Sequence, residues 1–116
     1  LLQEDPRDPD SLLALGYARV CDLDRLREGE GRSAFVGTTR VALFWIEDQI
    51  YAIKNACPHA GASLAMGQLQ GLVVTCPRHE WRFHVQTGAC LNKKMFRAQT
   101  LPVVIADGAV WISPPP

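Results

Sequence analysis

The chain has 116 residues, 47% of them hydrophobic, and twelve Lys+Arg balance twelve Asp+Glu. That length suits one domain with a real core and is short for two of ordinary size. Zero formal net charge argues against a protein whose main business is electrostatic capture of nucleic acid or an anionic membrane, while leaving room for a local patch of either sign.

The first sixteen residues read as an N-terminal extension carrying one short helix. Asp8 is placed to cap it, Pro9 fits the first helical position and Gly16 is a natural stop. Its leucines are expected to pack on the domain. Glu4, Asp5, Asp8 and Asp10 come early and no apolar stretch follows a basic start, so nothing here resembles a secretory signal and the expected location is the cytoplasm. Strands are expected over Tyr17–Cys21 and Arg32–Val36, separated by a charged turn region over Asp22–Gly31. Arg40–Ile46 and Ile50–Lys54 flank Glu47–Asp48–Gln49, a hairpin signal.

Further on, Leu72–Thr75 and Trp81–Val85 read as short strands, the second leading into a Gln86–Thr87–Gly88 turn. Leu101–Ile105 and Ala109–Ile112 flank Asp107–Gly108, the strongest hairpin cue in the chain. No apolar run nears the roughly 18 residues that cross a bilayer; the longest, Val41–Ile46 and Leu101–Ala106, have strand length, so no membrane span is expected. Many short strands with frequent turns predict an all-β fold, an antiparallel sandwich or small barrel. Residues 17–112 form the expected domain, and 113–116 a Pro-rich tail. Between Asn55 and Gly71 no strand or helix period is sustained, and a loop of that length in so small a domain points to function.

Four cysteines are unevenly embedded. Cys57 and Cys76 are each followed within three positions by a histidine, which uses two of the three histidines; Cys21 and Cys90 are not. The two segments, Cys57–Pro58–His59 and Cys76–Pro77–Arg78–His79, give Cys-x-His-x16-Cys-x-x-His. Thiolate and imidazole together ligate zinc or iron–sulfur centres. A tight turn brings both side chains of a box to one side, and the proline in each spacer stiffens it. Cys21 and Cys90, which lack ligand spacing, read as small buried hydrophobes. His84 follows Phe83 on a strand and should face the other way, as a surface or packing residue. Trp45, Trp81 and Trp111 read as core residues.

With Cys57-Pro-His59-Ala-Gly, Cys76-Pro-Arg-His79, the aromatic Phe83, the Thr87–Gly88 turn and the closing hairpin through Asp107–Gly108, the sequence closely resembles the Rieske [2Fe–2S] proteins from Tyr17 to Ile112. The resemblance implies a β-sandwich base carrying a small cluster-binding subdomain, with loops over about 55–62 and 76–82 at its tip. It implies one [2Fe–2S] cluster, with Cys57 and Cys76 on one iron and His59 and His79 on the other. Two imidazoles in place of two thiolates leave the oxidised site neutral instead of dianionic, which raises the potential to roughly −150 to +300 mV against about −400 mV for plant-type ferredoxins. High-potential members carry an extra cysteine in each box, joined as a disulfide, and a serine two positions after the second histidine. The matching residues are Ala62, Arg78 and Trp81, so the low end of the range is expected. The stretch Asn92–Phe96, where many members place a proline-containing cover, has no proline and offers a basic, partly apolar lid.

The implied function is that of an electron-transfer ferredoxin, taking single electrons from a flavin-dependent reductase and handing them to a terminal oxygenase. It is not itself an enzyme. Three other readings stay open: a small Rieske-like subunit of an assimilatory nitrite reductase, a detached N-terminal domain of an oxygenase, and a zinc-stabilised interaction module. A complete oxygenase is excluded, because His84 is the one histidine left for a mononuclear iron site. Lys93, Lys94 and Arg97, with Arg78 and Arg82, form a basic group suited to an acidic partner.

Overall fold

The computed structural model describes residues 1–58, 61–78 and 80–114. Helix α1 (Pro9–Ala14) starts as the sequence dictates: the Asp8 carboxylate accepts from the Ser11 N–H, Pro9 lacks the donor that the first turn leaves unused, and Gly16 turns the chain away at φ +91°. Among the described residues ten strands follow: β1 (Ala18–Asp22), β2 (Gly31–Val36), β3 (Thr39–Ile46), β4 (Gln49–Lys54), β5 (Gln68–Gln70), β6 (Val73–Thr75), β7 (Arg82–His84), β8 (Thr100–Leu101), β9 (Val103–Ala106) and β10 (Ala109–Ile112). They form three antiparallel sheets, ordered β1-β10-β9, β2-β3-β4-β8 and β5-β6-β7. The expected all-β architecture is correct. Among the described residues no helix is long and apolar enough to cross a membrane.

The apolar run Val41–Ile46 has a structural cause. An antiparallel strand wet on one face alternates, whereas a strand covered on both faces does not. On β3, Val41 and Leu43 face the base, where they pack with Ile50 of the adjacent β4 and with Ile105, Val110 and Ile112 from the β1-β10-β9 sheet. Ala42 and Phe44 face the other way, into a second core with Leu64, Val74, Phe83 and Val85. One strand therefore serves both halves of the molecule. The β9–β10 hairpin repeats the logic: its outer face, Val104, Ala109 and Trp111, is covered by Leu12 of α1 and by Tyr17. Its turn holds Asp107 at φ +54° and Gly108 at φ +67°, the conformation a two-residue hairpin of this hand requires. Trp111 is buried with its indole N–H donated to the Ala106 carbonyl at 3.0 Å.

Several expectations need correcting. Leu101–Ile105 is not one strand. Pro102, with no N–H to donate, ends β8 on the sheet of β4, and the chain crosses to the other sheet as β9. A short strand, β5, and a 3₁₀ turn over Leu64–Met66 occupy part of the stretch that shows no period. Only Leu12 of the helix leucines is buried; Leu13 and Leu15 are exposed. Cys21 is half-buried, next to an irregularity in the β1–β10 register between Arg19 and Cys21. Trp45 and Trp81 are half-buried as well. The first residues are tied down: Gln3 both donates to the Ile50 carbonyl and accepts from the Ile50 N–H, and Leu2 N–H bonds the Asp48 carbonyl.

Candidate metal centre

The first tip leaves β4 at Lys54 and returns through the 3₁₀ turn at Leu64. The second leaves β6 at Thr75 and returns through β7. Both are closed by the same backbone bond. The Cys57 N–H donates to the Ala62 carbonyl at 2.8 Å, and the Cys76 N–H to the Trp81 carbonyl at 2.7 Å, five residues on in each case. In both, the residue just before the closing one has a positive φ: Gly61 at +69° and Glu80 at +55°. The two tips thus share one frame, opened by a cysteine and closed by a carbonyl. His59 falls third in the first and His79 fourth in the second. Both histidines lie outside the described residues, as does Ala60.

Cys57 and Cys76 are brought together. Both are buried and free of disulfide, in the core that contains Leu64, Val74 and Phe83. Their thiols interact directly. Burial pushes the Cys76 thiol up; the Arg78 backbone N–H, donated to its sulfur, opposes that, and the neighbouring Cys57 adds to it. Two adjacent buried thiols, each opening a closed turn and not oxidised to each other, fit one iron of an iron–sulfur cluster, which would hold them as thiolates. Among the described residues no three His, Cys, Asp or Glu side chains converge on a metal position.

Behind the first tip is Asn55, the one buried polar side chain among the described residues. Its Oδ1 accepts from the Ser63 hydroxyl at 3.1 Å and the Ala65 N–H at 3.0 Å, while its backbone carbonyl accepts from the Leu64 N–H at 2.8 Å. Asn55 therefore staples both ends of the loop that presents Cys57. Stranding those donors would cost about 1–3 kcal/mol. Sequence reading passed over it, because an asparagine opening a loop looks like ordinary turn chemistry.

The second tip is braced from the side. The Trp81 and Phe96 rings meet edge-to-face at 4.9 Å between centroids. Asn92 Oδ1 accepts the Arg82 N–H at 2.8 Å, and the Phe96 N–H bonds the Lys93 carbonyl at 3.1 Å. The lid read from Asn92–Phe96 is thus a turn anchored at both ends against this tip. Cys90 is buried in the same core, as expected of a small hydrophobe. Phe83 is fully buried and His84 faces the other way; its Nδ1 lies 3.3 Å from the Gln86 N–H and 3.4 Å from the Thr87 N–H.

Comparison with known proteins agrees with this geometry. Residues 16–113 match the family described as the Rieske-like [2Fe–2S] domain. The ferredoxin component of the alkene monooxygenase system of Xanthobacter autotrophicus is 35% identical over 101 residues, 86% of this chain and 83% of that protein. The ferredoxin component of the naphthalene 1,2-dioxygenase system of Pseudomonas putida is also 35% identical over 101 residues, covering 86% of this chain and 97% of that protein. Among solved structures, the ferredoxin of carbazole 1,9a-dioxygenase from Nocardioides aromaticivorans IC177 superposes with a TM-score of 0.80 at 32% identity, over 85% of this chain and 98% of that one. The chain belongs to the Rieske-like [2Fe–2S] family, with one Rieske-type cluster as its cofactor and electron carriage, not catalysis, as its activity.

Proposed function

We propose that this carrier takes single electrons from a flavin-dependent reductase and delivers them to a terminal oxygenase, with Cys57 and Cys76 holding one iron and His59 and His79 the other. The adjacent buried thiols of Cys57 and Cys76, in two tips of one frame, carry the ligand half of this reading. The relatives named as ferredoxin components of oxygenase systems support the partner half. When bound, the cluster supplies a reversible one-electron store. The protein holds the sulfurs out of water, donates the Arg78 N–H to one of them, and leaves Pro77, Arg78 and Glu80 of the second tip at the surface. We place the carrier in the cytoplasm, and take 17–112 as the working domain, 1–16 as an added brace and 113–116 as a tail.

The partner reading is tested with NADH and the flavin reductase of a dioxygenase system. Bleaching of the visible spectrum should require both, and a terminal oxygenase with substrate and O₂ should restore it. A protein that dithionite reduces but no such reductase does, or that passes electrons to a nitrite reductase instead, would overturn the proposal.

The residues around the tips also set an expected potential. Ala62 offers only its carbonyl, to Cys57; Arg78 is exposed; and Trp81 places an indole against Phe96 where a serine hydroxyl would raise the potential. A midpoint in the lower half of the roughly −150 to +300 mV range is expected by redox titration. A value above about +100 mV would show that other groups dominate.

A further inference from the structure

Zero net charge conceals a strong separation of charge. Residues 55–98, which build both tips and the lid, contain five basic residues and one acid, Glu80; the rest of the chain holds seven basic residues and eleven acids. Arg78, Arg82, Lys93, Lys94 and Arg97 are all exposed, and none is ion-paired with an acid among the described residues. Of the seven basic residues elsewhere, Arg7 and Arg19 are each paired with an aspartate.

The backbone that carries the positive charges is also held in place. Arg78 lies within the second tip, two residues after Cys76. Arg82 opens β7, and its N–H is bonded to Asn92. Between Asn92 and Phe96, the anchored turn projects Lys93, Lys94 and the 83% exposed Met95. The Arg97 guanidinium donates to the Thr87 carbonyl at 2.8 Å and so cannot swing freely. Charges on an anchored backbone, with an exposed thioether among them, suit a protein interface better than a diffuse polyanion.

We propose that the cluster-bearing end is the positive pole of a charge dipole and docks on an acidic face of its protein partner. This rests on the reading of the chain as an electron carrier and adds the sign of the partner's surface. Attraction at the exit point, with the negative base trailing, orients the encounter before contact and speeds it, within a Debye length of about 10 Å at 0.1 M salt.

The test uses small oxidants of opposite charge on the dithionite-reduced holoprotein, by stopped flow. With the iron(III)–EDTA monoanion, the rate should fall about three- to sixfold between 20 and 200 mM NaCl; with hexaamminecobalt(III), a trication, it should rise. The Lys93→Glu/Lys94→Glu double variant should flatten both slopes while keeping its EPR signal. The Arg25→Glu/Arg27→Glu variant, on the base, should leave them as they were. Flat slopes in the parent protein, or slopes that Arg25→Glu/Arg27→Glu removes, would overturn the proposal. So would retention on duplex DNA or heparin at 150 mM NaCl that Lys93→Glu/Lys94→Glu abolishes, since the patch would then serve a polyanion. A protein that takes up no electron from dithionite would instead fail the carrier reading, before any slope is measured.

Discussion

Replacing His59 or His79 by alanine is expected to abolish the visible spectrum and the rhombic EPR signal of the reduced protein. Each tip supplies one thiol to the buried pair, and a second iron then depends on the imidazole that follows in the same tip. Losing one imidazole leaves that iron short of a ligand: Cys21 lies on β1 in another sheet, and Cys90 belongs to neither tip. Cys57→Ser and Cys76→Ser should have the same effect, with iron and sulfide analysis falling well below stoichiometry. The base should survive. Its core of Val41, Leu43, Ile50, Val110 and Ile112 takes nothing from the tips, so far-UV dichroism should change little. Hydrogen exchange should instead rise within residues 55–98, where metal binding contributes to order. If His59→Ala and His79→Ala both kept a normal cluster spectrum, the histidine assignment would be wrong.

Gly88→Ala is expected to be the most damaging single-methyl change in the subdomain. At φ +81° an added Cβ is strained in itself, and it would lie 2.0 Å from the Ala98 carbonyl oxygen. That atom is backbone and cannot swing aside: the Ala98 N–H is bonded to the Gly88 carbonyl at 2.8 Å, and Ala89 pairs with Arg97 in an antiparallel bridge. We expect a loss of about 3 kcal/mol or more in urea or thermal unfolding. Gly108→Ala is the internal comparison. It also has a positive φ, but its Cβ meets nothing within 4 Å, so only the conformational cost of about 1 kcal/mol applies. Equal losses in the two variants would mean that the lid yields to the clash.

Much of this architecture is legible in the residues because local and tertiary requirements coincide. Asp8, Pro9 and Gly16 mark the helix, and Asp107–Gly108 marks a turn whose positive φ values leave few alternatives. The two cysteine–histidine boxes are equally plain, since ligand chemistry fixes residue type and spacing. What escapes has physical reasons. Strand β5 reads Gln-Leu-Gln, too short and polar to show a period, and exists because β6 pairs with it. The break at Pro102 depends on which sheet each side joins, a tertiary choice. Asn55 looks like any loop residue until its three accepted hydrogen bonds are seen. The basic group is visible in the residues themselves; what escapes is its anchoring, through Asn92 to Arg82 and through the Thr87 carbonyl to Arg97.

The matched tips carry one more consequence. Their closure uses only a main-chain N–H and a main-chain carbonyl, from residues as unlike as alanine and tryptophan. Among the described residues between, the side chains of Pro58, Pro77 and Arg78 take no part in that closure, and Gly61 and Glu80 serve it through a backbone bend. Such a frame separates holding the loop from equipping it. Ligand identity, surface charge and the groups beside the sulfurs can drift independently of the scaffold. A range of electron carriers with different potentials and different partners is then within reach by substitution at a handful of positions, without rebuilding the β-sheets beneath.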